Sequence, residues 1–208
     1  MPFAPGIIPT STGQKLGGGS TMFAAGKQLD LWASPRHGKY YNAAYGATSY
    51  FACNQAGVTT SVGLNTTFVG LCVSNPAGST VNLVIQKISG FFNVNATTAI
   101  TGIGHVRGYS SAGVVTHTTP LSVYPTNTGV AATAGQGLAD SACTIVGTPL
   151  WSGFTSVTAA STVAGAFFSQ DLEGEHIIQP GGYFALSTII ASGTNGFFGY
   201  ISWDEVPL

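Results

Sequence analysis

Long stretches of this chain carry no ionic charge. None occurs between Lys39 and Lys87 or between Asp140 and Asp171, and all 208 residues together hold six cations and seven anions. An ordinary soluble domain gives about a quarter of its positions to charged residues. A solvated helix or coiled coil is therefore excluded, because its outer face needs Glu, Lys and Arg. Nucleic acid is excluded as a partner, because six scattered cations make no basic field to displace phosphate counterions. Intrinsic disorder requires low hydrophobicity and high net charge, whereas 44% of these residues are hydrophobic and the net charge is −1. Gly, Ser and Thr fill 73 positions. The expectation is a β-rich chain whose surface is made of hydroxyls and backbone.

So little charge raises the question of membranes. The uncharged stretches are broken by Gly, Pro, Ser and Thr, and none holds the roughly 18 consecutive apolar residues of a spanning helix. An outer-membrane barrel would need export, and Met1–Gly6 shows no basic region leading into an apolar one, so neither a signal peptide nor membrane insertion is expected. Cys53, Cys72 and Cys143 are odd in number, widely spaced and outside any C-x-x-C. They read as reduced, small apolar residues, with one disulfide plus a free thiol as the alternative.

Two regions are expected. Residues 1–45, with Pro5, Pro9 and the Gly17–Ser20 run, read as an extended N-terminal arm. Lys27, Arg36 and Lys39, half of all the cations, fall at its end. Residues 46–208 read as an antiparallel β-sandwich of eight to ten strands. The strands expected are Thr66–Ser74, Val81–Ile88 with Phe91–Val94 continuing it after Gly90, Ala99–Tyr109, Leu121–Tyr124, Ser141–Val146, Trp151–Val157, Ala166–Leu172, Glu175–Gln179, Tyr183–Ala191 and Phe197–Val206. Val81–Ile88 alternates most cleanly, with Val81, Leu83 and Ile85 on one face. A loop is expected over 126–139, and Ser141–Val146 and Trp151–Val157 are expected to pair across Gly147-Thr148-Pro149. Asn195-Gly196 is expected to supply the positive φ of a hairpin between the last two strands.

Chemical motifs are scarce. No G-x-S-x-G elbow and no Walker A sequence occurs. Gly102, Gly104 and Gly108 miss the dinucleotide spacing by one residue and read as glycines in a strand. Asp171, Glu173 and Glu175, followed by His176, form the one polar cluster. It reads first as a charged turn between two strands. Extended backbone would instead put the three carboxylates on one face, the geometry of a hard-cation site or an acid pair for glycoside hydrolysis. His37, His105, His117 and His176 are scattered, with no two at ligand spacing. The sequons at Asn65 and Asn95 carry weight only with a secretory route. Tyr40, Tyr41, Tyr45, Tyr50 and Phe51 cluster as a contact surface, with carbohydrate stacking and core packing as alternatives. No catalytic residue, cofactor or metal site is expected.

A nearly neutral β surface favours association, and a closed oligomer is the arrangement that hides it. The expectation is a homotrimer. Ile177–Ser187, Gly199–Pro207 and Val81–Ile88 resemble the closing strands of small virion proteins of tailed bacteriophages. The resemblance spans mainly residues 64–94 and 166–208. It implies a jelly roll of the tumour-necrosis-factor type, a trimer, and a capsid cement or decoration subunit, or a head fibre, bound to the major capsid protein or another virion protein. That role places the chain in the virion, assembled in the host cytoplasm, and carries no catalytic residues. The alternative is a receptor- or glycan-binding module of a phage tail or head fibre.

Overall fold

A computed structural model describes residues 48–93, 100–109, 115–129, 135–145, 147, 149–159, 167–194 and 196–208. The arm expected over 1–45, with Tyr40, Tyr41, Tyr45 and His37, lies outside them. The described residues form eleven strands and no helix: β1 (Ser49–Cys53), β2 (Thr67–Ser74), β3 (Val81–Phe92), β4 (Ile100–Tyr109), β5 (Val115–Leu121), β6 (Tyr124–Pro125), β7 (Leu138–Ile145), β8 (Leu150–Ala159), β9 (Phe167–Ile178), β10 (Gly182–Thr188) and β11 (Phe197–Pro207). They make two antiparallel sheets. The first runs β6-β1-β11-β3-β9 and the second β5-β7-β2-β10-β4-β8. The expected all-β antiparallel sandwich is what the chain adopts.

The pairing is nested. β1 pairs with β11, β2 with β10, β3 with β9 and β4 with β8. The chain thus behaves as one long ribbon doubled back and then rolled into two facing layers. β5, β6 and β7 are inserted between β4 and β8 and extend the two sheets beyond β2 and β1. Between the layers pack Trp203, Phe92, Phe184, Phe197, Leu83, Ile85 and Ile88, all but excluded from solvent. Two buried asparagines tie the layers at strand ends. Asn54 donates to the Gly70 carbonyl (3.0 Å) and accepts from the Gly199 amide (2.9 Å). Asn75 donates to the carbonyls of Val81 (2.8 Å) and Ile178 (2.9 Å). With so few ions, amides and hydroxyls take over this cross-linking.

The continuation past Gly90 is seen as far as Phe92: Val81–Phe92 is one strand, and Gly90 lets Phe168 and the Phe198 carbonyl come closer than any Cβ would permit. Three other expectations need correction. The two strands expected over 166–172 and 175–179 are replaced by one, β9, running Phe167–Ile178. The acids fall on a bulge within it, where the register shifts between Ile85 and Lys87 and φ is 47° at Glu173 and 88° at Gly174. Bulge geometry, not a turn, absorbs the extra residues. β7 and β8 are not neighbours, being separated by β2, β10 and β4. Nor do β10 and β11 form a hairpin, since they lie in different sheets. Their connection is held by Ser192, whose amide donates to Thr60 Oγ1 (3.1 Å) and whose Oγ accepts from the Thr60 amide (2.9 Å). Its positive φ is at Gly193, and Asn195 lies outside the described residues.

β1 and β5 were not anticipated. β5 is a polar edge strand whose residues 116–120 are all exposed, and an edge tolerates Pro120 because that side needs no amide donor. His117 holds β5 to β7: its Nδ1 donates to Oδ2 of the fully buried Asp140 at 2.6 Å. Asp140 Oδ1 has no hydrogen-bond partner among the described residues. Burial pushes the Asp140 carboxyl above its ordinary range, and the bond and charge of His117 oppose that. Removing His117, itself exposed, leaves the buried carboxylate without its partner. His117→Ala is therefore expected to cost about 1–3 kcal/mol, and adding Asp140→Asn to recover much of it. Urea midpoints of both variants decide this; an unchanged midpoint for the single variant contradicts it.

Candidate functional site

Strand alternation splits the aromatic residues around Tyr50. Tyr50 turns into the core against Trp203, with ring centroids 6.4 Å apart, while Phe51 turns to the outer face of the first sheet. There the register builds a surface that no single segment reveals. Phe51 stacks on Tyr124 of β6 (5.8 Å) and on Tyr200 of β11 (5.6 Å). Two residues from Tyr200 on the same face, Phe198 stacks on Phe91 of β3 (4.9 Å, planes 9° apart). Phe91 lies directly opposite Phe167 of β9. Six aromatic side chains thus cross all five strands of one sheet. They become more exposed toward β9, where Phe91 is 41% and Phe167 68% open to solvent. Farther along the face the surface turns polar: Lys87 pairs with Asp171 (3.3 Å), and Gln86 donates to Asp204 (2.8 Å). An apolar band with a polar margin on an exposed face marks an interaction surface.

The edges fit this picture. β6 has two residues, β5 carries Pro120 and β9 carries the acidic bulge, three devices that discourage strand addition. β8 has none of them. Its ten residues hold no charge, and Leu150 and Phe154 are exposed along it.

The acidic cluster does not converge. Asp171 turns to Lys87, its cross-strand partner, and Glu173 sits on the bulge. Among the described residues, no group of three or more His, Cys, Asp and Glu is placed to hold a metal ion. The unbroken extended backbone that the hard-cation reading assumes is interrupted by the bulge. Glu175 and His176 instead line a groove of about 520 Å³ where the ends of β4, β9 and β10 meet. Arg107 enters it from β4, a residue that nothing in the sequence connects to the acids. Gly102, Gly104 and Gly108 belong to β4, an antiparallel strand, as the strand reading expects.

Behind the groove, His105 packs on His176 (5.1 Å) and Phe184 (5.1 Å), and its Nδ1 lies 2.9 Å from Ser152 Oγ. Cys72, Cys143 and Tyr183 form a second buried group on the outer face of the second sheet. All three cysteines are free thiols. The hydrogen bond with Cys143, and then burial, push the Cys72 thiol well up. Compared with family models, with curated proteins and with solved structures, the chain matches none.

Burial, then the neighbouring His176, pushes the His105 imidazole from 6.5 down to about 4, and the charge of Glu175 opposes this. His176 shifts in the same direction, chiefly through burial. Between these two values the unfolded chain binds a proton that the folded chain refuses, so stability falls as pH drops from about 6.5 toward 4. The loss expected from His105 is roughly 2–3 kcal/mol. Urea midpoints at about pH 7 and about pH 4.5 should therefore differ less in His105→Gln than in the unaltered chain. Equal differences in the two contradict the assignment.

Proposed function

We propose that this chain is a structural subunit that works by association: a homotrimeric capsid cement or decoration protein of a tailed-phage virion. The observation that carries the reading is the aromatic band from Tyr124 to Phe167 on a sheet face with few ions. Flat, apolar and partly exposed, it suits contact with a second copy of the chain better than it suits any reaction. The nested strand pairing supports the jelly-roll reading, since a doubled ribbon rolled into two sheets is that architecture. The uncharged β8 edge adds a second place where protein can pack. The resemblance of the closing strands to phage virion proteins supplies the setting and the trimer.

Light scattering after gel filtration tests this. At micromolar concentration the particle is expected at three times the 21.2 kDa chain mass. Phe91→Ser with Phe167→Ser should shift it toward monomer with the far-ultraviolet circular dichroism of the sheets unchanged, because both side chains are exposed on the single chain. A stable monomer of the unaltered chain overturns the proposal. Deleting residues 1–26 then separates the roles. Loss of attachment to the virion supports cementing, whereas loss of adsorption to cells with attachment intact supports a receptor-binding fibre.

A further inference from the structure

The groove at the β4–β9 end shares no residue with the aromatic band and holds a different chemistry. Its volume of about 520 Å³ falls in the ~300–1,000 Å³ range of small-molecule sites. Arg107 reaches it from the second sheet, and Glu175 and His176 from the first. The guanidinium can only donate hydrogen bonds, the carboxylate can only accept them, and an imidazole kept neutral by burial does both. Around these groups stand apolar walls: Tyr109 is 60% exposed, Ile177 58% and Leu150 54%. An anionic ligand would meet the charge of Glu175, and a cationic one that of Arg107. An apolar ligand would cover both ions and leave them without partners. A pyranose satisfies every member, because each hydroxyl both donates and accepts and the C–H face of the ring packs on an aromatic side chain.

We propose that the groove between β4 and β9 binds a neutral saccharide, with Arg107 and Glu175 hydrogen-bonding ring hydroxyls and Tyr109 covering a sugar face. The site depends on one folded chain and not on its assembly. A monomer that binds sugar would therefore remove the reading above and leave this one standing.

The test is saturation-transfer NMR on the intact chain. Probes are glucose, galactose, N-acetylglucosamine and their disaccharides, with N-acetylneuraminic acid as the anionic control. At least one neutral sugar is expected to give a saturable signal. Arg107→Ala and Glu175→Ala should each weaken binding about tenfold or more, and Tyr109→Ala should weaken it as well. All three side chains are exposed, so unchanged melting temperatures are expected to show that the folds survive. Three results overturn the proposal: no saturable signal from any neutral sugar on the order of 10 mM, tighter binding of the anionic control, or variants that bind like the unaltered chain.

Discussion

Pairing between strands far apart in the chain is the constraint on which everything else rests. Cys53 meets Tyr200 and Ser74 meets Tyr183 across the ladders, so most of the polypeptide must be in place before the outer pairs close. Such contacts repay their loop-closure entropy late, which makes folding slow and leaves edges exposed on the way. Among the described residues few ion pairs are present to guide the register. Side-chain amides and hydroxyls do that work at strand ends: Asn54 and Asn75 on backbone carbonyls, Thr60 on Ser192. A polar atom left alone in so apolar an interior is costly, and the strand-end asparagines supply several backbone amides and carbonyls with partners.

The same scarcity of charge shapes the outside. Where a solvated sheet would show Lys and Glu, the first sheet shows Tyr124, Phe51, Tyr200, Phe198, Phe91 and Phe167. Four of the ions among the described residues stand together at one edge of that sheet. Asp171, Glu173 and Glu175 lie on the bulged edge strand β9, and Lys87 answers Asp171 beside it. The surface is thus divided between an edge kept from pairing and a face left free to pack. That division is the physical content of the structural-subunit proposal.

Much of the fold was legible in the sequence, and the reasons for the failures are specific. β2, β4 and the alternating part of β3 stood out because period-2 patterns and turn residues bounded them. β10 and β11 did as well, but their connection was misread. Sequence proximity suggests a hairpin, whereas nested pairing sends neighbours to opposite sheets. β5 was hidden because an exposed edge strand has no apolar period. β9 was split because three acids and a glycine resemble a turn as closely as they resemble a bulge. The sites were harder. Glu175 and His176 could be singled out as polar residues in an apolar chain, but Arg107 joins them only where the strand ends of the two sheets come together. The aromatic band comes from five strands and exists only once their register is fixed.

Hydroxyl-radical footprinting across a dilution series addresses the central claim most directly, that the aromatic face of the first sheet is covered by other copies of the chain. The account predicts that Phe91, Phe167, Phe198 and Tyr200 oxidise slowly in concentrated protein and faster together as it is diluted. Tyr109, away from the band, should react at one rate throughout. Band residues that oxidise at a rate independent of concentration, from the most concentrated sample to the most dilute, would contradict it.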